Sequence, residues 1–254
     1  MKKFNFFALS ALAVAFCIVL ISTCNADDHV TANILTRVLA LLNGNEQGTG
    51  FTIDVDGHQY IITAKHLVPG TNQVAVIGIS HDDKWESLKV TILRSADADV
   101  AVLVPPHAVT RTLPIEIGTD GTYISQEVFF LGFPYDLFTE VAPDMNDGFP
   151  IPFVKRGTLS AWYKGQTKYP TILVDGINNP GFSGGPLVSM ENGLKPQVFG
   201  VVTAYKTNLE NVVTNNIDTG LKSIGNSGII ICYDIKYALD EIKKYQATVT
   251  YIQN

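Results

Sequence analysis

Short apolar or alternating runs, cut at close intervals by turn residues, occupy this chain from about residue 35 to residue 233, and this rhythm constrains its fold most. Phe51-Thr52-Ile53-Asp54-Val55 alternates apolar and polar side chains, the pattern of a half-buried strand. Asp56-Gly57 follows as a two-residue hairpin signal, and Tyr60-Ile61-Ile62-Thr63 reads as the return strand. Further strand-like runs fall at 73–79, 84–93, 100–104, 127–131, 153–162, 171–174, 186–190, 197–204 and 228–233, and Asn192-Gly193 marks another tight turn. Many short strands so punctuated predict an all-β barrel or sandwich. Only the end reads as helix: Asp234 suits an N-cap, Ile235, Leu239 and Ile242 share a face, and Lys243 and Lys244 suit the C-terminal dipole. Two segments break the rhythm and are expected as loops. One is 135–152, with Pro143, Pro150 and Pro152; the other is 205–227, rich in Asn, Thr and Ser.

Within this frame, Gly181-Phe182-Ser183-Gly184-Gly185-Pro186 sets a serine between glycines just after the run Thr171 to Val174. A hydroxyl is a weak nucleophile without a base in reach and donors for the developing oxyanion. Glycine at 181 permits a backbone that a side chain forbids, so the Gly181 and Ser183 amides can face one small space. Acyl transfer is the chemistry this suggests; a glycine-rich turn without chemistry is the plainer alternative. The same residues satisfy G-x-S-x-G, but an α/β-hydrolase needs its histidine after the serine. All five histidines precede Ser183. The order histidine, acid, serine remains open.

His66 closes Tyr60-Ile61-Ile62-Thr63-Ala64-Lys65-His66, an apolar strand with a polar mouth. His29, His58, His81 and His107 each read as solvated loop residues. Asp99 stands just before the run 100–104, where a carboxylate can orient an imidazole. Asp97 is the rival acid and reads as a solvated one.

Gly48-Thr49-Gly50-Phe51, Thr63-Ala64-Lys65-His66, Asp99-Val100-Ala101 and Gly181-Phe182-Ser183-Gly184-Gly185-Pro186-Leu187 occur in the order seen in chymotrypsin-like serine proteases. Leu131-Gly132-Phe133-Pro134, Lys155-Arg156-Gly157-Thr158-Leu159-Ser160-Ala161 and Gly200-Val201-Val202-Thr203-Ala204 resemble landmarks of the bacterial Deg (high-temperature-requirement) branch. The resemblance covers about residues 35–245. It implies two six-stranded antiparallel β-barrels, over about 35–115 and 120–233, and a C-terminal helix over about 234–245; the length left after the expected leader suits one such domain, without an appended PDZ module. It also implies a serine endopeptidase with His66, Asp99 and Ser183 as triad, Gly181 and Ser183 amides as oxyanion hole, and no cofactor or metal. Ile177 and Asn178 are then expected to line the side-chain pocket, with Tyr205 at its wall. Thr203-Ala204-Tyr205 is expected to pair with a peptide substrate as an added strand. No acid lies at pocket depth, so a small or medium apolar side chain is expected there. Phe182 replaces the aspartate of the digestive enzymes and the asparagine common in the Deg branch, so activation by burial of a freed N-terminus is not expected. The bulk of Phe182 beside the oxyanion loop leaves two rivals standing: a silent or latent binding protein on this fold, and an esterase using the same site.

Met1-Lys2-Lys3 and the apolar run from Phe6 to Ser22 read as a secretory signal peptide over 1–26, cleaved after Ala26, with the protease domain over 27–254. The run is short for a membrane span, and lipidation at Cys24 is the minor alternative. An exported location, periplasmic or extracellular, follows. With Cys17 and Cys24 in the leader, Cys232 is left alone and reads as a buried thiol, so no internal disulfide is expected. The chain carries 18 basic and 24 acidic residues, and losing Lys2 and Lys3 makes it more acidic still. That balance, without a basic cluster, argues against nucleic acid as a partner and leaves peptide or protein substrates. There is no paired Cys motif and no His-Glu-x-x-His for a metal. Oligomeric state is not readable.

Overall fold

The structure, a computed structural model, describes residues 29–140, 142, 145–190 and 196–253. The expected leader, with Cys17 and Cys24, and the Asn192-Gly193 turn lie outside the described residues. A short helix α1 (Ala32–Leu35) leads into strands β1 (Val38–Asn43), β2 (Glu46–Val55), β3 (His58–Thr63), β4 (Val74–His81), β5 (Lys84–Arg94) and β6 (Ala101–Val104). These close as an antiparallel barrel in the order β1-β2-β3-β6-β5-β4. Asp56 and Gly57 both take positive φ, 49° and 77°, as a two-residue turn between right-twisted strands requires.

The second half holds β7 (Glu116–Ile117), β8 (Glu127–Gly132), β9 (Phe138–Thr139), β10 (Ile151–Tyr163), β11 (Thr171–Asp175), β12 (Pro186–Ser189), β13 (Gln197–Thr214) and β14 (Ile217–Asp234), then helix α2 (Lys236–Gln253). Pairing runs β8-β10-β11-β14-β13-β12 and returns to β8, a second six-stranded ring. β9 adds to β10, and β7 pairs in parallel with β13. The double barrel with a C-terminal helix stands as expected. No helix among the described residues is long and apolar enough to cross a membrane.

Between the barrels runs a shared apolar cluster. Phe51, Ile53 and Ile62 of the first barrel meet Phe129, Leu131, Val188 and Val201 of the second, with Ile235, just before α2, and Ala238 and Ile242 of α2 closing it. Helix α2 uses the face foreseen for it and runs on to Gln253, beyond the expected end. Asp234 Oδ1 accepts the Lys236 N–H at 2.9 Å at its start.

Two expectations are corrected. Residues 205–227 are not a loop: β13 and β14 continue as an antiparallel arm, with Leu209 opposite Ile224 and Asn211 opposite Lys222. Asn215 and Asn216 turn it at φ 51° and 61°, so a polar composition masked a hairpin whose turn residues tolerate left-handed backbone. His81 is not a solvated loop residue. It ends β4, bonds Glu86 Oε1 at 2.9 Å and the Asp147 carbonyl at 2.8 Å, and packs on Phe149. The described residues of the 135–152 segment are irregular as expected, apart from two-residue β9, short 3-10 turns at Pro134–Asp136 and Met145–Gly148, and the first two residues of β10.

Candidate active site

The fold itself brings the histidine and the acid together. β3 pairs with β6, with Thr63 opposite Ala101. Three residues past Thr63, His66 sits on a tight 3-10 turn (Lys65–Leu67); two residues before Ala101 lies Asp99. Asp99 grips His66 twice: Oδ2 meets the ring Nδ1 at 2.7 Å, and Oδ1 accepts the His66 backbone N–H at 2.9 Å. Asp97 takes no part; its backbone N–H turns to Ser95 Oγ.

The electrostatics follow from that grip. The hydrogen bond that Asp99 accepts from the ring raises the His66 pKa above 6.5, burial opposes it, and the charges of Asp99 and Glu46 add to the rise. Burial alone would raise Asp99. The His66 hydrogen bond, the His66 charge, its backbone N–H and Lys65 together outweigh it and hold the carboxyl low.

Ser183 reaches this corner because its loop is tied to the first barrel. The Thr49 N–H donates to the Ser183 carbonyl at 2.9 Å, and Thr49 Oγ1 donates to the Gly181 carbonyl at 2.6 Å. Thr63 Oγ1 in turn donates to the Thr49 carbonyl at 2.7 Å. Gly184, at φ 85°, fills the gap: a Cβ there would lie 2.0 Å from the Thr49 carbonyl and 2.9 Å from the Ala64 nitrogen. Gly181, at φ 103°, likewise leaves no room for a side chain against the Phe133 carbonyl. Phe182 points away from the site into the second barrel, fully buried and edge-on to Phe130 at 5.1 Å.

The Phe182 N–H donates to the Asn179 carbonyl at 3.3 Å. Among the described residues, neither the Gly181 nor the Ser183 amide donates an internal hydrogen bond. Ser183 Oγ donates to the Thr203 carbonyl at 3.2 Å and makes no hydrogen bond to His66 among the described residues.

Beside the serine, Ile177 is 59% exposed, whereas Asn178 is 3% exposed. Asn178 Nδ2 reaches the Ala204 carbonyl at 3.4 Å, and Asn226 Nδ2 donates to the Asn178 carbonyl at 2.7 Å. Asn178 thus ties two walls together more than it offers a surface. Thr203 is buried, with Oγ1 on the Ile231 carbonyl; Ala204 is exposed and Tyr205 half-buried. Sequence reasoning passed over Thr49 and Asn226. For Thr49 a signal existed, since glycines on both sides of it within a strand mark close backbone approach.

A family model described as a trypsin-like peptidase domain matches residues 48–195. Protease Do-like 1, chloroplastic, of Arabidopsis thaliana is 26% identical over 147 residues, covering 58% of this chain and 31% of that protein. A protein of Pseudomonas savastanoi pv. phaseolicola named as a probable periplasmic serine endoprotease, DegP-like, is 32% identical over 162 residues, covering 60% of this chain and 29% of its own length. The chain spans about three-tenths of the length of the curated relatives it matches. Among solved structures, the inactive form of Rv3671c from M. tuberculosis H37Rv superposes at a TM-score of 0.56 and 18% identity, covering 87% of this chain and 92% of that one. The HtrA-type protease AlgW with a tripeptide gives 0.55 at 18% identity, covering 82% of this chain and 60% of that one. At such identities the structures speak for the fold alone.

Proposed function

We propose, since the chain belongs to the trypsin-like peptidase domain family, that it is an exported serine endopeptidase whose nucleophile is Ser183. The observation that carries this reading is the two-point clamp of Asp99 on His66 in the corner where Thr49 and Gly184 hold the serine loop. In the reaction, His66 Nε2 takes the Ser183 proton as Oγ attacks an acyl carbonyl, then returns it to the leaving amine. Asp99 keeps the proton on Nδ1 and stabilises the imidazolium. The Gly181 and Ser183 amides receive the oxyanion; one such donor is worth about 3–4 kcal/mol of barrier. Water then repeats the sequence on the acyl-enzyme. A peptide pairs along Thr203-Ala204-Tyr205, and Ile177 meets a small or medium apolar side chain. The base is competent only when neutral, so turnover falls as pH drops through the raised His66 pKa.

A second reading, a latent or silent binding protein, has one observation in its favour: the Ser183 hydroxyl rests on the Thr203 carbonyl instead of on His66. Labelling with a fluorophosphonate, with the adduct located by mass spectrometry, decides between the two readings. Adduct on Ser183, absent in Ser183→Ala and His66→Ala, is expected; no adduct on folded wild-type protein sinks the hydrolase reading. Matched peptide and ester substrates then tell endopeptidase from esterase.

A further inference from the structure

Lys155 is a charged group that the proposed mechanism leaves unused. It lies in β10 opposite Phe130 of β8, half-buried beneath the serine loop. Its ammonium donates to the Ile177 carbonyl and to Asn179 Oδ1, the latter at 3.0 Å. It stands 5.8 Å from the Phe182 ring centre and 6.0 Å from that of Phe130. A lysine ordinarily lays its stem on apolar surface and keeps its head in water. Here the head is turned inward, and burial lowers its pKa from the usual lysine range.

The two acceptors bracket Asn178, in the segment that leads into the oxyanion amides. Asn179 is fastened at both ends: Lys155 holds its side-chain oxygen, and its carbonyl receives the Phe182 N–H. The orientation of the Phe182 peptide in turn decides where the flanking Gly181 and Ser183 amides point. Charged groups on the surrounding elements are few. Arg156 is paired with Glu127 of β8, Asp175 ends β11, and Asp136 lies on the turn that packs against Pro180; no carboxylate pairs with Lys155 among the described residues. The ammonium is therefore committed to loop acceptors.

We propose that Lys155 is a positioning residue whose ammonium, through Ile177 and Asn179, sets the pocket wall and the oxyanion loop from within the folded domain. This rests on the reading of Gly181 and Ser183 as oxyanion donors. It also gives Phe182 a part: with an apolar residue before the serine, the cation binds the Ile177 carbonyl and the Asn179 side chain instead of a carboxylate there.

The test is the rate of fluorophosphonate labelling from about pH 6 to about pH 11 for wild type, Lys155→Arg and Lys155→Met, with unfolding followed by circular dichroism. Wild-type rate should rise through the His66 pKa and fall again as Lys155 loses its proton. Lys155→Met should label about tenfold more slowly or worse near neutrality, without the alkaline fall. Lys155→Arg should recover most of the rate and keep it at alkaline pH, because guanidinium stays charged. A Lys155→Met protein that is folded and labels at the wild-type rate overturns the proposal, as does an alkaline fall unchanged in Lys155→Arg. If Lys155→Met does not fold, the arginine comparison decides alone. Wild-type protein that never labels defeats the serine reading and this proposal together; labelling of wild type and methionine variant at equal rates defeats only this one.

Discussion

Replacing Asp99 by asparagine should damage the enzyme more than replacing it by alanine, although asparagine is the closer mimic. A carboxylate and an imidazolium about 4 Å apart attract by about 4 kcal/mol at an effective dielectric of about 20. The pair is not fully buried: the His66 side chain is 46% exposed and that of Asp99 29%. Screening therefore reduces the usable attraction to about 2–3 kcal/mol. Losing it in Asp99→Ala should lower kcat/KM by about 30- to 150-fold. Asparagine adds a second fault. The His66 backbone N–H bonds Oδ1 at 2.9 Å and would claim the one remaining carbonyl oxygen. The amide nitrogen is then left facing Nδ1 across the 2.7 Å contact, where it must donate. Nδ1 becomes an acceptor, the ring proton moves to Nε2, and the base is blocked toward Ser183. Asp99→Asn should therefore fall at least about tenfold below Asp99→Ala. The assay is the pH dependence of kcat/KM, or of fluorophosphonate labelling, for the three proteins. The hydrogen bond accepted by Asp99 is the main reason the His66 pKa lies above its ordinary value, with burial opposing it. The acidic limb in Asp99→Ala should accordingly move to lower pH. Equal rates for both variants, or an acidic limb that stays in place, would refute the reasoning.

Other outcomes follow from the same geometry. Gly184→Ala forces a Cβ to within 2.0 Å of the Thr49 carbonyl at a φ of 85°, so a loss of about 2–5 kcal/mol is expected in denaturant unfolding. Cys232 is fully buried, and burial raises its thiol pKa; iodoacetamide should modify it only on unfolding, as intact mass would show. The Glu86 hydrogen bond raises the His81 pKa against an opposing effect of burial, and the Asp147 carbonyl adds to the rise. Stability from His81 is thus present below 6.5 and lost as pH rises through the raised value. Limited proteolysis within 145–149 should quicken over that window, and His81→Ala should remove the pH dependence.

How far the sequence alone could lead differs from one residue to the next. Strands that alternate, and turns that demand left-handed backbone, carry their instructions locally, so β2, β3 and the Asp56-Gly57 turn are readable at once. The same local logic was present at Asn215-Asn216, yet the solvated arm on either side of it lacks the apolar alternation that marks a half-buried strand. Backbone pairing holds that arm, and pairing leaves no compositional trace. His66 and Asp99 stand out as candidates because each lies at the mouth of an apolar run, and β3–β6 pairing brings the two together.

What local patterns cannot carry is the set of ties between distant segments that aim the serine. Thr49 lies 132 residues before Gly181, and Lys155 lies 24 before Asn179; the first binds the loop through its hydroxyl and backbone N–H, the second through its ammonium. Phe182 shows the point most clearly. Read beside the serine in sequence, its bulk threatens the oxyanion loop. In the fold, the Phe182 ring turns inward, onto Phe130 and Phe153. Burying that ring is worth about 1.5–3 kcal/mol by transfer alone, so its bulk anchors the loop instead of displacing it. The loop is then held by three independent attachments: an apolar ring in the second barrel, a threonine of the first barrel, and the Lys155 ammonium. Two of them cross between segments that the sequence sets far apart, so the site is specified by the packing of one barrel on the other as much as by the Gly-Phe-Ser-Gly-Gly motif.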